Sequence, residues 1–190
     1  MVRSTNTKRA ILDLAESFLQ EKGFNGFSYA HIAAELDVKN AAIHYHFPTK
    51  ESLTEAVIQR YRDRFQLWIN NSRVKDLPPK EKLDWFFNIY TSTRADHGKV
   101  CLAGSLETEF NSIPDSLRKQ TQSLTRELLS WLGDTLSEGR DTGVFKFSGE
   151  ASGKAGLILS SLQGGLQMAR ALGTAKFNEI VEQHKQELLA

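Results

Sequence analysis

Within residues 28–47 the chain sets Ser28, Tyr29, Lys39, Asn40, His44, Tyr45 and His46, with Lys50 just beyond. Hydroxyls and ammonium groups of this kind can hold phosphate oxygens, and amide or imidazole edges can pair with base edges in a major groove. Other chemistry finds less support. His44 and His46 are two residues apart, so on a helix they point away from each other, and no Cys, His or acidic cluster completes a metal site. Cys101 with His97 is the one candidate nucleophile pair, and nothing nearby would orient or activate it. A Gly-rich phosphate loop and a Ser/His/Asp pattern are both missing. We therefore expect no catalytic residues, no metal and no cofactor.

The elements that must carry these side chains are short helices. Ser28 suits the N-cap of a helix over 29–36, with Ile32, Ala33 and Leu36 facing inward. Residues 37–39 make a tight turn, and a second short helix follows at 40–46, stopping before Pro48. Ala33 and Ala34 are small enough to let the second helix cross closely, Val38 plugs the turn, and Ile43 and Phe47 anchor the second helix inward. Lys39, Asn40, Ala41, Ala42, His44 and Tyr45 are then left on the open face, the disposition of a helix-turn-helix whose second helix enters a major groove.

The rest of the chain also has helical period, and no stretch alternates cleanly enough for a strand. Ile11, Leu14, Ala15, Phe18 and Leu19 form the stripe of a first helix over 5–22, stopped by Gly23. A fourth helix, capped by Thr49, carries Leu53, Val57, Tyr61, Phe65 and Trp68 to about residue 73. After Lys75-Asp76-Leu77-Pro78-Pro79, helices are expected near 80–95, 101–110, 115–138, 149–172 and 175–189. The fold class is thus all-α, about nine helices. A helix-turn-helix unit over 1–50 leads into a larger bundle over 51–190.

Hydrophobic content of 40% and charged content of 25% in 190 residues fit a globular protein. Apolar runs are too short to span a membrane, and the basic N-terminus has no apolar block of a signal peptide. One cysteine suits a reducing compartment, so we expect a cytoplasmic location. The net charge of +1 hides an asymmetry: residues 1–75 hold 11 Lys/Arg against 8 Asp/Glu. A mildly basic first part permits DNA binding without proving it.

From about Thr7 to Leu53 the chain resembles the TetR family of transcriptional regulators. The run Ile43-His44-Tyr45-His46-Phe47-Pro48-Thr49-Lys50-Glu51, an aromatic/histidine cluster followed by Phe-x-Thr-Lys-Glu, carries the likeness more specifically than the helix-turn-helix alone. Two positions depart from the pattern. Asp37 stands where the turn usually has Gly, and Lys39 where a Ser usually caps. Asp can enter the left-handed region at modest cost. Lys39 cannot cap, which shifts the cap to Asn40 or leaves the helix start weaker.

The resemblance implies a homodimer on double-stranded operator DNA of two-fold symmetry, and a C-terminal domain whose small-molecule inducer, of unknown identity, releases the DNA. The alternative reading is an activator, or a DNA-binding protein that senses no ligand. Tyr45 and Lys50 resemble family positions that hold phosphates. Ser28, Tyr29, Lys39, Asn40, Ala41, His44 and His46 complete the expected DNA-binding set. Helices five to eight surround the ligand cavity in this family, which nominates Phe65, Phe86, Phe87, Tyr90, Cys101, Phe110, Trp131, Gln167, Met168 and Arg170. Glu107, Glu109 and Gln163 are polar residues near those stripes. Cys101 is either a reactive sensor thiol or a small buried residue. Gly153, Gly156, Gly164 and Gly165 weaken a helix unless another helix approaches it closely, and the family pairs its last two helices across a dimer. DNA binding through several phosphates should weaken steeply with salt, log K falling by roughly 0.9 per contact on a log salt axis. Fluorescence anisotropy over a salt series measures that slope, and a flat response would exclude phosphate-led binding.

Overall fold

Apolar residues spaced three and four apart recur along nearly the whole chain, and they fold as ten α-helices among the described residues. The computed structural model describes residues 2–95 and 98–189, so His97 lies outside the described residues. The helices are α1 Val2–Lys22, α2 Tyr29–Leu36, α3 Asn40–His46, α4 Lys50–Ile69, α5 Ser72–Lys75, α6 Pro79–Ala95, α7 Leu102–Thr108, α8 Asp115–Asp141, α9 Ala151–Leu172 and α10 Thr174–Leu189. By their contacts they group into two units. The first runs to Phe65 and takes in Leu102–Leu124; the second comprises Gln66–Cys101 and the chain from Thr125 onward.

In the first unit, α1 packs against α2, α3 and α7. Its stripe of Ile11, Ala15, Phe18 and Leu19 is buried with Ile32, Ile43, Phe47, Leu53 and Val57. Gly23, in the left-handed region at φ 77°, ends α1. Charge fastens α4 onto α1: Arg60 bonds Asp13 and Glu16, each at 2.6 Å, and the Leu12 carbonyl at 2.9 Å. Arg64 reaches the same Glu16 one turn further on. Glu16 is largely shielded from water, which screens its pairs less than an exposed pair.

The second unit is built on the antiparallel hairpin of α9 and α10. Gly165 sits where a Cβ would meet the Phe177 ring at 3.0 Å and Ile180 at 3.1 Å, so its bareness lets the two helices close. Lys154 bridges to Glu187 at 3.2 Å further along the pair. From α6, Asp84 meets Lys185 of α10 at 3.3 Å, and Lys82 meets Glu138 of α8 at 2.7 Å.

Two expectations need correction. Helix four stops at Ile69 rather than near residue 73, because the Asn71 side chain accepts from the Arg73 amide at 2.9 Å and starts the separate turn α5. At 1.5 Å per residue the 20 residues of α4 span about 30 Å. The cap of α3 does not shift to Asn40. Lys39 holds that place with extended backbone (φ −78°, ψ 147°) and no side-chain bond.

Asp37 closes α2 in the left-handed region (φ 51°, ψ 47°), alone among the described non-glycine residues. Its amide and that of Val38 return to Ala34 and Ala33, so the turn keeps its form without glycine. Left-handed geometry costs an L-residue roughly 1–2 kcal/mol, less for Asp. Asp37→Gly should therefore raise stability by up to about 1 kcal/mol, read as a higher urea midpoint. A lower midpoint would mean that the carboxylate holds a contact of its own.

Candidate nucleic-acid interface

The open face of α3 depends on how α2 is seated beneath it. Ser28 begins α2 in extended conformation, and its amide donates to His31 Nδ1 at 3.1 Å, so a histidine takes the place a Glu or Gln commonly holds. Tyr29 is buried, and its hydroxyl donates to the Phe47 carbonyl at 2.9 Å. Burial pushes its phenol up to about 12. That bond ties the first residue of α2 to the last turn of α3. The expected contribution of Tyr29 to a phosphate site is thus limited to its backbone amide, since the hydroxyl is already engaged.

With Ile43 and Phe47 buried, α3 turns Asn40, Ala41, His44 and Tyr45 outward, with Lys39 exposed just before it. Tyr45 is 81% exposed. His46 is half-buried with its ring edge-on to Tyr45 at 5.1 Å. His44 stands edge-on to Tyr29 at 4.7 Å, with Nδ1 3.2 Å from the Pro48 carbonyl. The two imidazoles are held by different neighbours.

Lys50 behaves differently from the expectation of an ammonium presented to phosphate. Its Nζ donates to the Phe27 carbonyl at 2.5 Å and lies 4.5 Å above the rings of both Phe24 and Phe27. Burial lowers its pKa, and the Glu109 charge opposes that shift. A half-desolvated ammonium takes whatever acceptors face it, here a carbonyl and two π-faces. Glu109 likewise departs from a ligand-facing role. Its carboxylate accepts from the Phe24 and Asn25 amides, the latter at 3.1 Å, clasping the loop after α1.

The sequence pattern of the bacterial regulatory proteins of the tetR family matches residues 11–57, the span from α1 through α3 into α4. A solved TetR transcriptional regulator from Legionella pneumophila is 34% identical, covers 94% of this chain and 95% of its own, and superposes with a TM-score of 0.82. The chain belongs to the TetR family. A TetR-family transcriptional regulator from Agrobacterium tumefaciens is 27% identical with a TM-score of 0.91, over 98% of this chain and all of its own. The chain is also 23% identical to the HTH-type transcriptional repressor DhaR of a Mycobacterium species, across 85% of this chain and 81% of the relative.

Of the residues nominated in this TetR-family chain for a ligand, the structure groups some and separates others. Phe86 lies 5.3 Å from both Tyr90 and Trp131, and the Tyr90 hydroxyl is 3.7 Å from Cys101 Sγ. Phe87 is buried on the same helix, under Lys185 at 5.8 Å. Phe65 and Phe110 belong to the other unit, and Phe110 follows the end of α7. Met168 is 50% exposed on α9. Gln167 is half-buried. Arg170 donates from Nε to the Gly98 carbonyl at 2.5 Å. Cys101 is buried, the setting of its second reading.

Sequence reasoning missed Trp68 as a member of the aromatic group, its ring tilted against Trp131 with centroids 4.8 Å apart. It also missed a cleft of about 240 Å³ lined by Trp131, Asp134, Thr135 and Glu138 of α8 with Lys82 and Ile69. The spacing of 131, 134, 135 and 138 on one helix face was the available signal.

The position of Lys50 generates a test. Lys50→Met keeps the stem between the rings and strands the Phe27 carbonyl, so thermal or urea stability should fall by about 1 kcal/mol or more. A fall in duplex affinity with stability unchanged would show instead that the amine leaves the loop for a phosphate.

Proposed function

We propose that this TetR-family chain is a transcriptional repressor that binds a two-fold symmetric operator as a homodimer and lets go when a small molecule binds its second unit. Acting on chromosomal DNA would place it in the cytoplasm. The observation that carries the reading is the outward face of α3. Lys39, Asn40, His44 and Tyr45 stand free of the core there, on a helix fixed from below by the Tyr29–Phe47 bond. A recognition helix needs this combination of rigid seating and outward-facing polar groups. Repression rather than activation is supported by the similarity to the repressor DhaR.

A second copy is supported by α9. Gly153, Leu157, Ser160, Gly164, Met168 and Leu172 lie three or four apart on one exposed stripe. Leu157 is 62% exposed and Leu172 69%, and a Cβ on Gly153 or Gly164 would meet nothing within 4 Å. Large apolar side chains alternating with bare glycine suit ridges packing into grooves of an identical helix. For the inducer, buried Phe86 and Tyr90 with half-buried Trp131 offer apolar walls with a phenol for orientation. Asp134, Lys82 and Glu138 nearby supply charge at the cleft.

Leu157→Glu should convert the dimer to monomer in analytical ultracentrifugation and weaken operator binding by at least tenfold, because two half-sites are then no longer held together. Footprinting of the unchanged chain should protect two half-sites about one turn of duplex apart, or somewhat more. A footprint without two-fold symmetry, or a Leu157→Glu protein that stays dimeric, would defeat the corresponding part of the proposal.

A further inference from the structure

Of the polar groups on the outward face of α3, His44 is the one whose hydrogen-bonding role the protein itself fixes. Its Nδ1 lies 3.2 Å from the Pro48 carbonyl, and its ring stands edge-on to Tyr29 at 4.7 Å and 64°. Tyr29 is held in turn by the Phe47 carbonyl. A carbonyl oxygen has no proton to give, so the hydrogen in the His44–Pro48 bond belongs to Nδ1. In a neutral imidazole the lone pair is then on Nε2, across the ring from Pro48. The other groups on the face are less constrained: Asn40 can donate or accept, a tyrosine hydroxyl can do either, Lys39 only donates and Ala41 does neither.

A neutral imidazole in this tautomer has nothing to offer a phosphate, because phosphate oxygens only accept. In a major groove the donors are the exocyclic amines, N6 of adenine and N4 of cytosine. Each base pair has one such amine, on one strand, and a keto oxygen on the other. An acceptor held in place against one strand therefore separates amino bases from keto bases.

We propose that His44 reads DNA in this way, its Nε2 accepting a hydrogen bond from the exocyclic amine of an adenine or cytosine at one position of each half-site and rejecting guanine or thymine there. The inference rests on the DNA-binding reading above and adds to it the class of base recognised.

The test uses the full chain and a randomised duplex library, selected at about pH 8.5, above the range in which histidines ordinarily titrate. Selection is repeated with His44→Phe, which keeps a ring against Tyr29 and removes both nitrogens, and with His44→Arg, which only donates. The unchanged chain should select adenine or cytosine at one position per half-site, His44→Phe should lose that preference alone, and His44→Arg should turn it toward guanine. On the selected duplex, replacing that base by its analogue without the exocyclic amine should weaken the unchanged chain about tenfold, the size of one good hydrogen bond, and leave His44→Phe unaffected. Equal loss in both proteins would overturn the assignment, as would a preference for guanine or thymine that His44→Phe abolishes. If the unchanged chain selects no sequence and binds no duplex, the DNA-binding reading fails, and the base assignment falls with it.

Discussion

The bond from the Tyr29 hydroxyl to the Phe47 carbonyl is the constraint on which the reading face depends. It joins the first turn of α2 to the last turn of α3 across a left-handed turn at Asp37, and it is buried. A buried phenol without a partner would cost about 1–3 kcal/mol, so α3 cannot rotate on α2 without losing that partner. From this one contact follow the packing of Tyr29 against His44, the inward course of Phe47 and the exposure of Asn40, Ala41 and Tyr45.

Around that seat, polar contacts add to the buried apolar packing. The first unit includes α7 and the start of α8 as well as the helix-turn-helix. Besides the buried side chains of Leu102, Ala103, Leu106 and Leu117, polar contacts hold them: Glu109 on the amides after α1, Ser112 on Asn25 at 3.1 Å, Ser105 on the Leu19 carbonyl and Ser116 on Glu51. The chain crosses between the units three times, after Phe65, after Cys101 and after Leu124. A change in the second unit thus has covalent routes into the reading unit through α7 and α8, in addition to α4.

Much of the reading unit was legible in the sequence because its signals are local. Ser28, Val38, Pro48 and the Ile43/Phe47 anchors set α2 and α3 at 29–36 and 40–46, where the structure has them. The family likeness lies in the same residues. Local signals gave no warning that the ammonium of Lys50 turns back onto Phe27, since the acceptor is 23 residues away. Glu109 is further still, 85 residues from Phe24. In α4 the apolar stripe runs on through Trp68, and periodicity cannot show that the Asn71 side chain will capture the Arg73 amide and restart the helix. The grouping of the nominated aromatic residues was harder again. Phe86, Tyr90 and Trp131 share a neighbourhood while Phe65 and Phe110 do not, and stripes on separate helices carry no information about which ones meet.

All three tryptophans, Trp68, Trp85 and Trp131, fall in the second unit, whereas three of the four tyrosines, Tyr29, Tyr45 and Tyr61, fall in the first. Trp68 and Trp131 are in tilted contact at 4.8 Å and Trp85 is 53% exposed. Light absorbed at the red edge of the spectrum therefore excites indoles of one unit only, while the reading unit stays dark. Emission from the tilted pair reports the aromatic group proposed for the inducer, alongside that of the half-exposed Trp85. The protein carries its own optical label in the second unit, and loosening of the first unit alone leaves that signal in place.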